Sequence, residues 1–269
     1  MGQASRWKKR RAVTFRPPSK QPWEFVRPEG AEYFYRYGSA QHLDWLEGIL
    51  LRHQLYFPTP SQLDDDREAR PRLAAPSREA LMRFLMHSFE QHHAAHGRRW
   101  VDRELIKMEA VFSNETKDDL LARLKKVFFG ESNKNRILSL SLRADIEDLW
   151  RRYGDQHRGY CLEFQNGGVF QLAYLVQYSN EEYVFDVTDP NAATAHFFYH
   201  KTTQPVDWSV QQEARIVTFP RGGPALQSFD PRLLRRIILG REMPETPRDR
   251  IRSMVAGRVP PMLVEVEAS

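Results

Sequence analysis

Hydrophobic and polar positions along the chain alternate with the period of a β-strand in some runs and with that of a helix in others. Strands are predicted at 32–37, 55–57, 137–142, 159–164, 173–178, 182–186, 214–219, 234–239 and 261–266. Helices are predicted over 40–52, 77–96, 101–112, 117–129, 145–153, 190–201 and 246–255. Because the two types do not alternate regularly, the pattern favours an α+β fold with a central mixed or antiparallel sheet over a doubly wound parallel sheet.

The helical pattern over about 77–130 separates two groups of strands. We interpret it as a helical insertion in a single α+β domain that spans residues 31–269. Residues 1–30 contain four prolines and are predicted to form an extended arm. A loop is predicted over 62–76. The predicted helix caps are Ser39, Ser77, Asp145 and Thr246, and Gly130 is the predicted end of the third long helix.

The positive charge of the chain is concentrated at its beginning. The formal net charge is +5, and residues 1–20 hold seven basic residues and no acid, so residues 21–269 sum to 5 − 7 = −2. The basic residues of this arm are Arg6, Lys8, Lys9, Arg10, Arg11, Arg16 and Lys20. Such a segment is able to bind nucleic acid or anionic lipid through charge alone, with residues 6–11 as the first contacts. The alternative is a disordered, solubilising leader.

The single cysteine and the polar N-terminal segment indicate the cellular compartment of the protein. Cys161 is the only cysteine, so an internal disulfide cannot form. No apolar segment of a secretory signal follows the N-terminal basic residues, and no apolar run approaches the ~20 residues that a membrane span needs. These features predict a soluble, cytoplasmic protein. Cys161 itself lies between Tyr160 and Leu162, a pattern that favours a buried small hydrophobic residue over a nucleophile.

Two polar clusters lack the spacing of a metal site. The histidines of the first are His87, His92, His93 and His96, and two of them are four residues apart, but no His-Glu-x-x-His pattern occurs. The second cluster is Asp64-Asp65-Asp66, whose adjacent carboxylates point in different directions. We predict that both are solvated and that the chain holds no metal.

Two strands place polar side chains where a core is expected. Arg36 lies between Tyr35 and Tyr37, and it is either an inward-facing anion ligand or an exposed arginine flanked by core tyrosines. Ser139 and Ser141 share one face of a strand whose leucines share the other. Two hydroxyls on one face of an otherwise apolar strand need partners or a ligand.

A third polar segment precedes the strand at 214–219. Gln211 and Glu213 are two residues apart, so in an extended segment they would face the same way. The alternative is an amphipathic edge element with a solvated Glu213–Arg215 pair.

At these segments the sequence resembles a family of mostly bacterial proteins catalogued as domain of unknown function 2971. The matching motifs are Tyr35-Arg36-Tyr37, Leu55-Tyr56-Phe57-Pro58, Ser139-Leu140-Ser141, Trp150-x-x-Tyr153, His157-x-Gly159, Trp208-x-x-x-x-Glu213-x-Arg215 and Ile237-Ile238-Leu239-Gly240. They occur in the family's order from about residue 33 to 240, and 139–164 is the most specific part. Two motifs depart from the family: its Asn-Asp-Pro-Phe is replaced by residues 63–66, and the first Glu of its Glu-x-Glu is Gln211.

The order of Arg36, Ser139-x-Ser141 and Gln211-x-Glu213 is also similar to the Arg-Ser-Glu class of ADP-ribosyltransferases. That resemblance implies a split central sheet and NAD as co-substrate. It implies that Arg36 holds an NAD phosphate, that Ser141 and Ser139 support the ribose site, and that Glu213 stabilises the oxocarbenium-like transition state. Gln211 would position an acceptor other than arginine. The further NAD-binding candidates are Tyr35, Trp150, Tyr153 and His157, although packing of the helix on the sheet explains Trp150 and Tyr153 more simply.

Three functional hypotheses follow from the sequence. The first is an NAD-dependent ADP-ribosyltransferase, as a toxin or anti-phage defence effector that modifies a protein or nucleic acid and has an antitoxin or other partner protein. The second is a non-catalytic protein that binds nucleic acid or a partner through the basic arm. The third, ranked last, is a hydrolase or nuclease that uses Asp64–Asp66, His157 and Glu163.

Overall fold

A computed structural model describes residues 26–63, 72–91, 96–178, 180, 184–189, 203–204, 206–218, 223–257 and 262–267. Its helices are α1 (Leu43–Arg52), α2 (Arg78–Gln91), α3 (Arg98–Phe112), α4 (Lys117–Ser132), α5 (Glu147–Arg152) and α6 (Glu245–Val255). Its strands are β1 (Tyr33–Gly38), β2 (Gln54–Tyr56), β3 (Arg72–Leu73), β4 (Arg136–Ser141), β5 (Tyr160–Gln165), β6 (Tyr174–Leu175), β7 (Gln177–Tyr178), β8 (Val184–Phe185), β9 (Thr203–Gln204), β10 (Glu213–Thr218), β11 (Leu226–Ser228), β12 (Leu234–Leu239) and β13 (Leu263–Val266).

A seven-stranded sheet in the order β13-β12-β5-β1-β4-β10-β6 organises the molecule. Every neighbouring pair in it is antiparallel except β12 and β13, which are parallel. The fold is therefore mixed α and β around a mostly antiparallel sheet, as the irregular order of predicted strands and helices indicated.

One face of this sheet is apolar, and we call it the aliphatic face. Phe34, Leu138, Leu140, Leu162 and Ile237 alternate along their strands onto this face and belong to one buried cluster. The apolar stripe of α1 closes the cluster from above, with Leu46 and Leu50 almost fully buried. Helix α6 adds Ile251 to the same cluster.

The other face carries the intervening side chains of the same strands, and we call it the polar face. Tyr35, Cys161 and Ile238 lie on it beneath Trp150 of α5. Cys161 is buried, as predicted, and burial raises the pKa of its thiol. The serines of β4 and the charged residues of β5, β10 and β12 belong to this face, so it places the candidate site residues.

Helices α2, α3 and α4 occupy most of the helical pattern at about 77–130 and form a block with its own apolar cluster. The cluster consists of Leu73, Ala80, Leu81, Phe112, Leu120, Leu124, Phe185 and Val187. A short parallel pair, β3 with β8, lies against it. Strand β3 was not predicted, because two residues within a Pro- and Arg-rich loop give too short a pattern.

Helix termini were predicted less well than helices. Ser39 and Ser77 accept from the backbone N–H groups of Gln41 and Ala80, as capping residues do. Asp145 and Thr246 do not cap their helices, because α5 begins after Ile146 and α6 after Pro244. Helix α4 passes through Gly130 to Ser132. The predicted helix at 190–201 lies outside the described residues.

Strands β6 and β7 take the place of the single strand predicted at 173–178, and β11 was not predicted. In the described part of the chain, no helix combines the length and apolar character needed to cross a membrane.

Candidate functional site at the junction of two half-sheets

The central sheet is joined in its middle by one residue pair. Strands β1 and β5 share six register pairs, and β4 and β10 also share six. Between β1 and β4 the register contains only Tyr35 opposite Ser141. We call the strands on the two sides of this pair, β13-β12-β5-β1 and β4-β10-β6, the two half-sheets, and the pair is their junction.

Away from the junction, the backbone groups of β4 that face β1 bond to other partners. The N–H of Ile137 donates to the carbonyl oxygen of Pro58 at 2.9 Å. The carbonyl oxygen of Ser139 accepts from Arg36 Nη1 at 3.2 Å. Because buried backbone groups need partners, Pro58 and Arg36 satisfy the part of β4 from which β1 diverges.

The junction pair continues into β10 and places three candidate residues in one row. Ser141 lies opposite Tyr35 on one side and opposite Glu213 on the other. Directly opposed residues share a face of the sheet, so all three side chains lie on the polar face. All three are buried, each about 5 % exposed or less. The sequence order of the motifs had predicted this meeting of Ser141 and Glu213.

Glu213 forms an ion pair with Arg215 on the polar face. Its Oε1 accepts from Arg215 Nε at 2.6 Å, and its Oε2 accepts from Arg215 Nη2 at 3.2 Å. Both side chains are almost completely buried, so the solvated pair considered from the sequence is wrong. Burial lowers the pKa of Arg215, and the two carboxylate oxygens of Glu213 oppose that effect by stabilising the charged guanidinium.

Gln211 reaches the same place by a turn and not by an extended segment. It ends a 3-10 helix (Val206–Gln211), and Gln212 has a φ of 45°, so Gln211 and Glu213 are not joined by the extended segment in which they would face the same way. The Ser141 hydroxyl donates to the Gln211 carbonyl oxygen at 2.8 Å. Gln211 Nε2 is buried and has no hydrogen-bond partner in the described part of the chain.

Arg36 lies beside the junction row but on the opposite face. Strand alternation directs Arg36 away from the row of Tyr35, and its register partner Leu162 belongs to the aliphatic face. Its guanidinium reaches the Ser139 carbonyl oxygen in the gap between the half-sheets. Arg36 and Glu213, which the resemblance assigns to one NAD site, therefore lie at the same junction but on different faces.

Trp150 and Tyr153 were candidates for stacking on nicotinamide. Trp150 is fully buried, and its Nε1 donates to the Ala144 carbonyl oxygen at 2.8 Å. Its indole meets the edge of Tyr37, with ring centroids 5.2 Å apart. Trp150 is therefore a core residue between α5 and the sheet, which was the alternative explanation. Tyr153 caps α5 and is half-buried, and its binding role stays a prediction.

His157 follows the C-terminal end of α5, and charged groups contact both of its ring nitrogens. Its Nδ1 lies 2.8 Å from Glu267 Oε2, and its Nε2 lies 3.1 Å from Glu147 Oε1 and 3.0 Å from Arg241 Nη2. The ring also stacks on Trp150, with centroids 5.8 Å apart. With both ring nitrogens engaged and the side chain buried, the geometry supports a structural role in place of the predicted NAD contact.

The turn that carries His157 is strained. Asp155, Gln156 and His157 have φ values of 52°, 54° and 64°, a region that costs a non-glycine residue about 1–2 kcal/mol. A Cβ at Gly240 would collide with the His157 carbonyl oxygen, so the chain passes very close to this turn. Local sequence did not reveal the turn, since none of its three positive-φ residues is a glycine.

A second buried ion pair on the polar face was missed by sequence reasoning. Arg236 Nη2 donates to Glu163, and Arg236 Nη1 donates to Glu265 Oε2 at 2.6 Å. The hydroxyl of Tyr35 donates to Glu163 Oε2 at 3.0 Å. Glu163 and Arg236 face each other across β5 and β12, so the sheet brings together residues that are 73 positions apart.

The remaining candidates from the sequence are the two polar clusters and the basic arm. Among the described residues, no group of three or more histidine, cysteine or acidic side chains is arranged to hold a metal ion. Residues 64–66, His92, His93 and the basic arm with Arg6, Lys8, Lys9, Arg10 and Arg11 lie outside the described residues. Among the other histidines, His96 stacks on Trp100, with centroids 4.6 Å apart.

Comparison with known proteins identified no relative of this chain. No family model matches the chain, and neither the curated proteins nor the solved structures yielded a match.

Proposed function

We propose that this chain is an NAD-dependent ADP-ribosyltransferase whose ligand-binding cleft lies where the two half-sheets meet. The observation that carries the proposal is the junction itself: Ser141 pairs with Tyr35 on one side and Glu213 on the other, and Arg36 is adjacent. A central sheet divided in this way is what the resemblance to the Arg-Ser-Glu class implies. The motifs that occur in order along the sequence are thus neighbours in space.

Glu213 is the proposed catalytic residue. As the bond between the ribose anomeric carbon and nicotinamide breaks, the bonding electrons leave with nicotinamide, and positive charge develops on the ribose. A fixed carboxylate beside that carbon stabilises the charge in the transition state. The acceptor then forms the new bond to the anomeric carbon and releases its proton, so that NAD+ and acceptor give ADP-ribosyl acceptor, neutral nicotinamide and H+.

The contact of Glu213 with Arg215 bears directly on this role. Arg215 is bound to both carboxylate oxygens, yet an ionised carboxylate offers about four lone-pair positions. We therefore propose that the carboxylate accepts a hydroxyl of the NAD ribose while Arg215 holds it in place. The pair also fixes the orientation of the carboxylate, as a catalytic group requires.

Ser141 and Gln211 are proposed as positioning residues. The Ser141 hydroxyl bonds to the Gln211 backbone and thereby ties β4 to the segment that leads into Glu213. The Gln211 side-chain amide is buried without a partner among the described residues, so it has donor capacity left for a ligand. An acceptor with a carbonyl group, such as an amide side chain or a nucleobase, fits that donor.

The test measures nicotinamide release and label transfer from radiolabelled NAD, with cell extract and total nucleic acid as sources of acceptor. Glu213→Gln is expected to lower both by about 100-fold or more, the usual effect of losing one transition-state contact. Glu265→Gln is the matched control, because Glu265 pairs with Arg236 at the edge of the same sheet. Wild-type protein that leaves NAD intact, or a Glu213→Gln variant as active as the control, would contradict the proposal.

A second candidate is a non-catalytic nucleic-acid-binding protein, and the seven positive charges of residues 1–20 favour it. Contacts to phosphates release counterions, so binding would weaken steeply with added salt. Deleting residues 1–20 should then abolish the binding of duplex DNA or RNA in a gel-shift titration. Equal affinity of the full chain and the deletion variant would exclude the arm as the binding element.

A further inference from the structure

The first residues that the structure describes, Val26 and Arg27, are fixed at the β6 edge of the sheet. The Leu175 N–H donates to the Val26 carbonyl oxygen at 2.7 Å, and the next N–H along the chain, that of Val176, donates to the Glu213 carbonyl oxygen at 2.9 Å. Two successive residues thus connect Val26 to the proposed catalytic residue. Because neighbouring strands lie about 4.8 Å apart, the Val26 backbone lies about 10 Å from the Glu213 backbone.

Arg27 lies on the polar face at this edge. Its guanidinium lies over the Tyr174 ring, 4.6 Å from the ring centroid, and its Nη2 donates to the Tyr174 hydroxyl at 3.2 Å. Its Nη1 donates to the Gln171 carbonyl oxygen. Tyr174 is opposite Arg215 in the register of β6 with β10, and directly opposed residues share a face. Arg27 is therefore on the same side of the sheet as the Glu213 carboxylate.

Arg27 keeps the capacity to bind an anion. Its side chain is exposed, and the groups that its guanidinium contacts among the described residues are neutral. Its bonds to Gln171 and Tyr174 use two of the five N–H donors of a guanidinium, so three remain. These donors suit the oxygens of a phosphate group.

The basic arm precedes Arg27 in the chain and adds positive charge close to the cleft. Residues 1–20 hold seven basic residues and no acid. Lys20 is six residues before Val26, and six residues span at most about 20 Å. The charge of the arm therefore begins within about 30 Å of Glu213, a distance that about ten stacked nucleotides cover.

Aromatic residues are interspersed among the charges of the arm. Trp7 lies between Arg6 and Lys8, and Phe15 precedes Arg16. Proteins that bind single-stranded nucleic acid combine these residue types, because cations neutralise the phosphates and aromatic rings stack on the bases. A single strand also presents a base to a buried catalytic group at the lowest cost, since a duplex first has to release the base from its stack.

We infer that the acceptor of the proposed reaction is a single-stranded nucleic acid, which the basic arm and Arg27 bind at the β6 edge beside Glu213. The inference rests on the proposed function and adds the class of acceptor to it. A nitrogen or oxygen of the strand forms the new bond to the ribose anomeric carbon and loses its proton to solvent, while nicotinamide leaves with the electrons of the bond that breaks. The arm and the cleft thus act on the same molecule.

The experiment measures label transfer from radiolabelled NAD to a mixed-sequence single-stranded oligonucleotide. Its duplex and a nuclease-treated cell extract are the alternative acceptors. The full chain is expected to label the single strand in preference to both. Because phosphate contacts release counterions, labelling at low strand concentration should fall by about 100-fold to 1000-fold between about 50 and 200 mM salt.

Variants of the arm and of Arg27 test where the strand binds. Deletion of residues 1–20 should lower labelling of the strand by about 100-fold or more, because the phosphate contacts are lost. Arg27→Gln should lower it by about 3-fold to 10-fold, and Arg27→Lys, which keeps the charge, should lower it less. The matched control is Arg235→Gln, at an exposed arginine of β12 near the other edge of the sheet, which should label the strand as the full chain does.

A further variant moves the arm to the opposite edge of the sheet. It carries residues 1–25 after Ser269 instead of before Val26, so that the arm follows β13. In a gel-shift titration this variant should bind the strand about as tightly as the full chain does. It should label the strand at least about 10-fold less, because the arm no longer raises the local concentration of the strand at Glu213.

Four results would overturn the inference and leave the proposed function standing. They are equal labelling by the relocated-arm variant and the full chain, equal losses in Arg27→Gln and Arg235→Gln, label on extract protein alone, and arm-dependent binding of phosphatidylserine vesicles without binding of the strand. Absence of nicotinamide release with every acceptor, despite arm-dependent binding of the strand, would refute the proposed function and the inference with it.

Discussion

The two faces of the central sheet bury their side chains in different ways. On the aliphatic face, Leu138, Leu140 and Leu162 pack with many neighbours, and such contacts are non-directional and roughly proportional to the area removed from water. On the polar face, the charged side chains of Glu213 and Arg236 are equally inaccessible to water. Each of them depends on specific partners, which include Arg215 for Glu213 and Glu163 for Arg236.

This difference bears on what each face contributes. Burial of an ion pair costs desolvation energy that the attraction between the charges only partly returns. The aliphatic face therefore supplies most of the stability, and the polar face supplies specificity. A shift of β12 by one residue against β5 would separate Arg236 from Glu163 and move the Arg236 charge to the aliphatic face of the sheet.

The largest effect should follow from removing one partner of a buried pair. Arg215→Met removes the cation that binds both oxygens of the buried Glu213 carboxylate, and we expect the free energy of unfolding to fall by about 3–5 kcal/mol. The double variant Arg215→Met/Glu213→Leu should recover most of that loss, since no buried charge remains. Urea denaturation measures both. If the double variant were no more stable than the single one, the contrast between the faces would be wrong.

A truncation on the aliphatic face tests the other half of the comparison. Leu138→Ala removes a fully buried side chain and should cost about 3 kcal/mol through lost burial and a residual cavity. Leu138→Met conserves volume, so a loss below about 1.5 kcal/mol is expected from the same denaturation experiment. Equal losses for the two variants would show that this face also requires specific partners.

A smaller effect is expected at Tyr35, where the polar face joins the two half-sheets. Tyr35→Phe removes the hydroxyl that donates to Glu163 and should cost about 2 kcal/mol, as hydrogen bonds to charged groups do. In a Glu163→Gln background the same change should cost less, and a double-mutant cycle gives the coupling. Additive losses would show that the Tyr35 hydroxyl acts independently of the ion pair.

The smallest effect at neutral pH should come from the buried tyrosines. Burial raises the pKa of Tyr160 to about 12 and also raises the pKa of Tyr178. The pKa of a tyrosine in the unfolded chain is about 10. The folded protein therefore keeps these phenol protons to a higher pH than the unfolded chain does. The stability that this difference contributes is present in full below about pH 10 and is lost as the pH rises toward 12.

The free energy of unfolding, measured from pH 8 to pH 11, should therefore fall at the alkaline end. Tyr160→Phe should reduce the slope, because one buried phenol no longer titrates. An unchanged slope in that variant would exclude Tyr160 as a contributor.

Most of the elements that form the aliphatic face were predictable from the sequence. Strand β4 was predicted within a residue of its bounds, because Leu138 and Leu140 alternate with Ser139 and Ser141 and the pattern is local. The same alternation predicted which face the serines occupy. Helix α1 was recognised from its apolar spacing for the same reason.

The polar face was harder to predict because its partners are distant in sequence. The pairing of Arg236 with Glu163 depends on the register of two strands, which no local pattern encodes. The orientation of Gln211 was not predictable because its turn relies on a positive φ at Gln212, which is uncommon for a residue other than glycine. The motif order brought Ser141 and Glu213 together correctly, but it did not show that Arg36 points to the other face.

The single pair that joins the half-sheets also has a consequence for self-association. A sheet that opens in its interior has two additional edges, and an unpaired edge is a template on which a strand of another molecule can add. Arg36 places a charge in this opening and bonds to the Ser139 carbonyl oxygen. Pro58 accepts from Ile137 and, as a proline, has no N–H to offer an incoming strand. Arg36 and Pro58 thus occupy backbone positions of β4 to which an added strand would have to bond.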